Sequence, residues 1–153
     1  LQMGESREKY SDNDMRLMVN HVYSVCSSTD YRHQKIAEAP KGNQMWQELE
    51  DRQRLARRLT YRSSEHCAHS VSSMTTKYAR YLSNSMHRVV GVDAEKVLFI
   101  YKRYGTKHSS AAQNMINCVF RKYIITFIDG KVFSYDKKRK ATSADTEEEE
   151  EEE

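Results

Sequence analysis

The sequence contains no apolar run approaching the roughly 18 residues that a membrane span requires, and none is expected to enter a bilayer. Leu1 to Lys9 lack the apolar core of a signal peptide and read as a flexible arm at the cut end of a longer chain. There is no Cys-x-x-Cys. The three cysteines, Cys26, Cys67 and Cys118, are odd in number and far apart, which predicts buried or free thiols in a reducing compartment. His66, Cys67 and His69 lie close together, but the second ligand pair that zinc spacing demands is missing, so no metal is expected. Also missing are a Gly-rich phosphate loop, a His-Glu-x-x-His and a Gly-x-Ser-x-Gly. The six histidines form no base–nucleophile arrangement. The chain therefore does not read as an enzyme, and neither a cofactor nor a small-molecule substrate is expected. No aromatic motif of an RNA-recognition fold is present either.

What is there is charge, unevenly placed. The 153 residues fit one domain or two very small ones, and hydrophobic residues at 38% suffice for a core. The net charge is +3, from 25 Lys and Arg against 22 Asp and Glu. Beyond Ala141, Asp145 and Glu147 to Glu153 supply eight acids and no base. Setting those eight aside leaves 14 acids against 25 bases, about +11 on the rest of the chain. A body that basic draws polyanions, of which nucleic acid is the commonest; a merely soluble basic domain is the bland alternative.

Ser11 and Asp14 form a capping-box-like start to a helix with Met15, Met18, Val19 and Val22 at helical spacing, fading near Ser24. Val25 to Lys41, rich in Ser, Thr and Asp and holding the single proline, Pro40, reads as a long loop. Asn43 is suited to cap a second helix carrying Met45, Trp46, Leu49 and Ala56. After a connection over Thr60 to Ala68, Ser70 caps a third, running to about Leu82, with Val71, Met74, Tyr78 and Leu82 inward. Three helices, the last with a polar and basic outer face, make a helix-turn-helix pattern. Val89 to Val92 reads as a short strand. Asp93 opens a helix with Val97, Leu98, Tyr101 and Tyr104 inward, closed by Gly105. Ser109 or Ser110 opens another, with Ala112, Met115, Ile116, Val119 and Phe120 inward. Asp129-Gly130 between two β-rich runs, Tyr123 to Ile128 and Lys131 to Tyr135, predicts a type I′ hairpin. Helix, helix, hairpin is a winged-helix order, and this half either buttresses the first or makes contacts of its own. Lys137 to Lys140 form a basic cluster, either a nuclear-localisation patch or a phosphate contact. The Glu run cannot bury apolar surface and reads as a solvated linker or a mimic of a polyanion. The expected organisation is an arm over 1–9, a three-helix domain over 10–84, a second helical unit with a hairpin over 85–136, and a basic and acidic tail over 137–153.

Three stretches carry a resemblance. Tyr10-Ser11-Asp12-Asn13-Asp14, Gly42-Asn43-Gln44-Met45-Trp46, and the run from His69-Ser70-Val71 through Lys77-Tyr78 to Leu82 resemble, in that order, the openings of the first and second helices and the third helix of the Myb-like domain of Rap-type telomere proteins. The resemblance covers about Tyr10 to Ser83. Val71 stands where that family usually has Trp, the Val25 to Lys41 loop is long, and nothing after Asn84 has a counterpart. The resemblance implies a Myb-like or homeodomain-like three-helix fold for that part. With the winged-helix order read from the residues that follow, the expected fold is mainly α, a three-helix helix-turn-helix followed by a winged-helix-like unit. The resemblance further implies a nuclear, chromosomal protein that binds double-stranded telomeric repeats, with other telomere proteins as further partners. Some members of the family use the domain for protein contacts, so a protein-interaction module of a telomere or chromatin complex is the alternative.

In a helix-turn-helix the third helix enters the major groove, which makes Ser72, Ser73, Thr76, Lys77 and Arg80 the expected base contacts, or else a solvated helix face. Lys77 and Arg80 suit guanine O6 and N7, Arg with the more specific fork. Arg57, Arg58, Arg62, Lys102, Arg103, Lys107 and Lys131 are expected phosphate contacts, with Arg121 and Lys122 as further candidates. Arg7 and Lys9 form an arm for the minor groove.

Overall fold

A computed structural model describes residues 10–59 and 69–138, the side chains of 56–59 excepted. The fold is mainly helical with one small antiparallel hairpin. In chain order it comprises α1 (Asp12–Ser27), α2 (Tyr31–Ala37), α3 (Gln44–Leu59), α4 (Val71–Lys77), α5 (Ala94–Tyr104), α6 (Ser110–Val119), β1 (Tyr123–Ile128) and β2 (Lys131–Lys137). The chain divides into two compact units, Leu1–Ile100 and Tyr101–Glu153. The division falls within α5.

Most helix boundaries follow from local chemistry. Ser11 and Asp14 close a full capping box on α1, each side chain bonded to the other's backbone N–H. Ser70 caps α4 by accepting from Ser73 N–H, and Ser109 caps α6 by accepting from Ala112 N–H. Asp93 Oδ1 accepts from Glu95 N–H at the start of α5. At the far end of α5, Thr106 N–H reaches Tyr101 C=O and Gly105 N–H reaches Lys102 C=O, with Gly105 at φ +57°. That is the doubly bonded Schellman ending, for which a glycine in the left-handed region is suited.

Four expectations need correction. The segment taken for a long loop contains α2, capped by Asp30, whose Oδ1 accepts from Arg32 N–H. α1 continues to Ser27 because Val25 and Cys26 are both buried, one turn past its expected end. Val89 to Val92 is a turn and not a strand: Val92 N–H bonds Val89 C=O, and Gly91 sits at φ +79°, as the third position of a type II turn requires. On α6 only Ile116 and Phe120 of the expected inward set are buried; Met115 and Val119 face solvent.

In the first unit α1 packs on α2 and α3, and α3 packs on α4. Met18, Met45, Trp46, Met74, Tyr78, Leu82 and Met86 are at most 2% exposed. Four flexible methionines around one indole fill irregular space well. Val71, expected in this core, is only half-buried. Helix α4 does not stop at Lys77. It passes into a π-helical turn over Tyr78–Leu82, an α turn over Ser83–Ser85 and a 3-10 turn over Met86–Arg88.

In the second unit α6 packs against β1. The hairpin pairs Ile128 with Lys131 through Asp129 at φ 56° and Gly130 at φ 80°, the two left-handed residues of a type I′ turn. Thr126 pairs with Ser134 and Phe127 with Val132, so Phe133 is the extra residue of a bulge. Gly130 also allows close approach: a Cβ there would lie 2.8 Å from His108 O.

Two stability outcomes follow. Gln53 is 3% exposed, and among the described residues neither its amide oxygen nor its nitrogen has a partner. Gln53→Met should raise stability by about 1 kcal/mol, since an unsatisfied buried group costs that much or more; a lower urea midpoint would contradict the reading. Gly130→Ala should cost about 1–3 kcal/mol, from left-handed strain and the clash with His108 O, seen as faster hydrogen exchange at the hairpin amides.

Candidate functional site

The exposed side of α4 and the turns after it forms one polar ridge. Ser72, Thr76, Arg80, Asn84 and Arg88 are all exposed, each four residues from the last. Met74, Tyr78, Leu82 and Met86, offset by two, are all buried. Ser72, Thr76 and Arg80 therefore stand where the sequence places them. Asn84 and Arg88 extend the ridge beyond the expected helix end at Leu82. Their signal was present as the same four-residue spacing, but the pattern was read as ending with the apolar stripe.

Ser73 and Lys77 lie on the flank of that ridge and are half-buried. The Ser73 hydroxyl is hydrogen-bonded to the Tyr10 hydroxyl. Lys77 Nζ lies 4.5 Å from the centroid of the Tyr81 ring and 5.3 Å from that of Tyr10, a cation held over two aromatic faces. Among the described residues, Arg80 has no such tether. The two basic residues singled out on this helix are thus unequal: Lys77 is positioned, and Arg80 projects.

The start of α4 is fixed to the start of α1. His69 Nε2 donates to Asp14 Oδ2 across 3.0 Å, with the His69 side chain 2% exposed. The Tyr10 ring stacks on the His69 ring at 3.6 Å and 13°. Thr75 Oγ1 donates to Asn43 Oδ1 at 2.8 Å, tying α4 to the residue before α3. Trp46 and Tyr78 rings lie 5.5 Å apart between α3 and α4. The three sequence stretches singled out above thus meet in space. His69, weighed as a metal ligand, is engaged by Asp14; His66 and Cys67 lie outside the described residues. Among the described residues no group of three or more His, Cys, Asp or Glu is placed to hold a metal ion, and no helix is long and apolar enough to cross a membrane.

The second unit gathers cations at one end. Lys107 and Lys131 are joined by an isolated backbone bridge, and His108 N–H donates to Gly130 C=O at 2.7 Å. The Gly105 turn brings α5 to the same place, since a Cβ on Gly105 would lie 3.8 Å from Lys131 Cδ. Lys102 and Arg103 on the last turn of α5, Lys107 and Lys131 are all exposed, as are Arg121 and Lys122. Of the remaining expected contacts, Arg7, Lys9 and Arg62 lie outside the described residues, as do the side chains of Arg57 and Arg58. The tail beyond Lys138 lies outside them too.

Burial disfavours the charged form of two imidazoles. Burial, opposed by the bond to Met45 C=O and helped by the nearby Arg52 guanidinium, pushes His21 down to about 4. Its Nε2–H donates to Met45 C=O at 2.6 Å, and its Nδ1 accepts from Arg52 Nη2 at 3.0 Å. Burial likewise lowers His108. Glu48 is lowered by its hydrogen bond from His33.

Compared with protein-family models, curated proteins and solved structures, the chain matches none.

His21 makes stability depend on pH in a definite direction. Unfolded, its imidazole takes up a proton near its ordinary value of about 6.5; folded, it resists until about 4. The unfolded state therefore binds more protons in between, and stability falls as pH drops from about 6.5 to about 4. The loss from this group is on the order of 3 kcal/mol. Urea titrations at pH 7 and pH 4.5 should show it, and His21→Gln should flatten the difference; an unchanged profile in that variant would remove His21 as the cause.

Proposed function

We propose that the chain is a double-stranded DNA-binding module in which α4 and the turns that continue it enter the major groove. On this reading the first unit is a Myb-like, homeodomain-like helix-turn-helix, and the second is winged-helix-like. The observation that carries the proposal is the ridge of Ser72, Thr76, Arg80, Asn84 and Arg88, exposed along an element whose opposite side is buried on the core. From Ser72 to Arg80 the helix rises about 12 Å, enough to address three or four base pairs at about 3.4 Å each. Ser and Thr hydroxyls donate or accept at base edges, and Arg80 offers a guanidinium fork to guanine O6 and N7. Lys77, held over Tyr10 and Tyr81, supplies charge beside the groove. Lys102, Arg103, Lys107 and Lys131 neutralise phosphates, which sets affinity without reading sequence.

The target and location rest on the resemblance to Rap-type telomere proteins: telomeric repeat in the nucleus, with other telomere proteins as partners. The charge and the ridge alone support duplex binding of any sequence. A second reading, a protein-interaction module of such a complex, is favoured by one feature. An open groove of about 550 Å³ lies between α2 and α3, where Tyr31 is 72% exposed beside Arg32, Lys35, Glu48 and Asp51.

Fluorescence anisotropy against duplexes of telomeric repeat and of scrambled sequence, across a range of salt, separates these readings. Tighter binding to the repeat is expected, with the preference reduced roughly 5- to 150-fold by Arg80→Ala, equivalent to about 1–3 kcal/mol for one base contact. Lys107→Ala and Lys131→Ala should weaken both duplexes equally and shallow the salt dependence. Duplex affinity unchanged in the Lys77→Ala, Arg80→Ala double variant would sink the major-groove reading, and no duplex binding at all would move the assignment to the α2–α3 groove.

A further inference from the structure

The hairpin buries one face and leaves the other partly apolar, with Ile124, Ile128 and Phe133 exposed among the likewise exposed Thr126, Lys131 and Asp136. Five of the eight large hydrophobic side chains exposed among the described residues belong to the second unit, and three of those are on the hairpin. Ile124 and Ile128 share the outer face of β1 at 58% and 51% exposure, and Phe133 is 59% exposed on β2. Phe133 owes its position to the bulge: Val132 turns inward opposite Phe127 at 4% exposure, and the extra residue is thrown outward. One exposed aromatic alone would be ordinary, but Phe133 with Ile124 and Ile128 on one small hairpin gathers apolar surface of the kind that marks a contact.

Charge restricts what can cover it. Residues 101–138 carry eight Lys and Arg, namely Lys102, Arg103, Lys107, Arg121, Lys122, Lys131, Lys137 and Lys138, against Asp129 and Asp136. Two copies meeting here would bring like charges together. Three half-exposed side chains also fall well short of the roughly 800 Å² per partner that a stable protein interface buries. A polyanion that can accept apolar side chains fits both facts. Duplex DNA does so at an unstacked base step, where Phe or Ile inserts from the minor groove and the duplex kinks toward the major groove.

We propose that the hairpin of the second unit is a minor-groove wedge. Ile128 and Phe133 enter between base pairs, Lys107 and Lys131 bind the phosphates beside the opened step, and the duplex bends away from the hairpin. The proposal rests on the duplex-binding reading above and adds an action to it. A ribbon of two strands about 4.8 Å apart, broadened by its side chains, fills a groove about 6 Å wide only by widening it. Lys131 stands at the turn within the same few residues as both wedge side chains, and the bridge to Lys107 sets a second cation beside it.

The test uses the full chain and a duplex of some thirty base pairs carrying a donor and an acceptor at its ends, with binding followed by anisotropy in the same samples. Saturating protein should raise energy transfer, as a kink of about 20–90° requires. The Ile128→Thr, Phe133→Ser double variant, altered only at exposed positions, should bind to within a few-fold and leave transfer at the value of the unbound duplex. A bound duplex that stays straight, or a double variant that bends it as strongly as the unsubstituted chain, overturns the wedge while leaving duplex binding intact. Failure of the unsubstituted chain to bind removes the duplex reading and the wedge with it. Should the double variant lose binding, 2-aminopurine stepped along the duplex reads the same point with the unsubstituted chain: a fluorescence rise at one step supports the wedge, and a flat profile overturns it.

Discussion

The carboxylate of Asp14 sets where the first unit's two critical helices begin. Its Oδ2 accepts from Ser11 N–H at 3.1 Å and from His69 Nε2 at 3.0 Å, so one oxygen closes the capping box of α1 and holds the residue before the cap of α4. Tyr10 covers the junction by stacking on His69 and reaching Ser73 with its hydroxyl. A cap is worth about 1 kcal/mol and a hydrogen bond to a charged group about 1.5–3, less than the burial of Trp46 and Tyr78 contributes. Burial has no direction of its own, however. The junction supplies the direction: it fixes which residue of α4 comes first, and so which residues of the turns that follow face outward.

What could be read in the sequence was whatever is decided within about five residues. Ser11 with Asp14, Ser70, Asp93, Ser109, the Gly105 ending and the Asp129-Gly130 turn were all legible, because a cap or a turn is satisfied by its own neighbours. Helix α2 was hidden because it is seven residues long and buries only Ile36 and Ala37, too few to show a period; its Asp30 cap lay among Ser and Thr that read equally well as loop. Val89 to Val92 misled because three valines look like a strand, whereas a left-handed Gly91 makes a turn. Met115 and Val119 misled because periodicity shows that a stripe exists without showing how wide a face the partner covers. His69 with Asp14, 55 residues apart, leaves no local trace at all. For the site, the letters of the ridge were visible, but Ser, Thr and Arg at helical spacing spell a solvated face as readily as a reading face.

On the proposed reading the two units divide the work by charge. The ridge of the first unit carries only Arg80 and Arg88 among its five exposed residues, while residues 101–138 carry a net six positive charges. Phosphate neutralisation governs affinity and its salt dependence, and base-edge contacts govern discrimination. A sparsely charged ridge loses little when moved off its preferred bases by one step, apart from the base contacts themselves. That is the condition under which a helix face can discriminate rather than merely adhere. The second unit, with its larger excess of positive charge, has the opposite balance.

The turns after Lys77 bear on how the exposed and buried residues of this element keep the same interval. Met74, Tyr78, Leu82 and Met86 are all buried at strict intervals of four, and Ser72 to Arg88 are all exposed at the same interval. An α-helix completes a turn in 3.6 residues, so each step of four overshoots by about 40°, and three steps would carry the stripe a third of the way round. Both faces would then swing out of line: Met86 toward solvent and Arg88 toward the core. The π turn over Tyr78–Leu82 bonds to the fifth residue instead of the fourth, winds more slowly, and takes back part of the overshoot before the 3-10 turn over Met86–Arg88 winds more tightly again. A four-residue apolar repeat is thus the sequence counterpart of a π turn, much as the period of a heptad dictates the hand of a supercoil. Packing and function meet in that one irregularity. The core demands that Tyr78 and Leu82 stay inward together, and the winding that satisfies it is the same winding that keeps Thr76 and Arg80 in a single outward line.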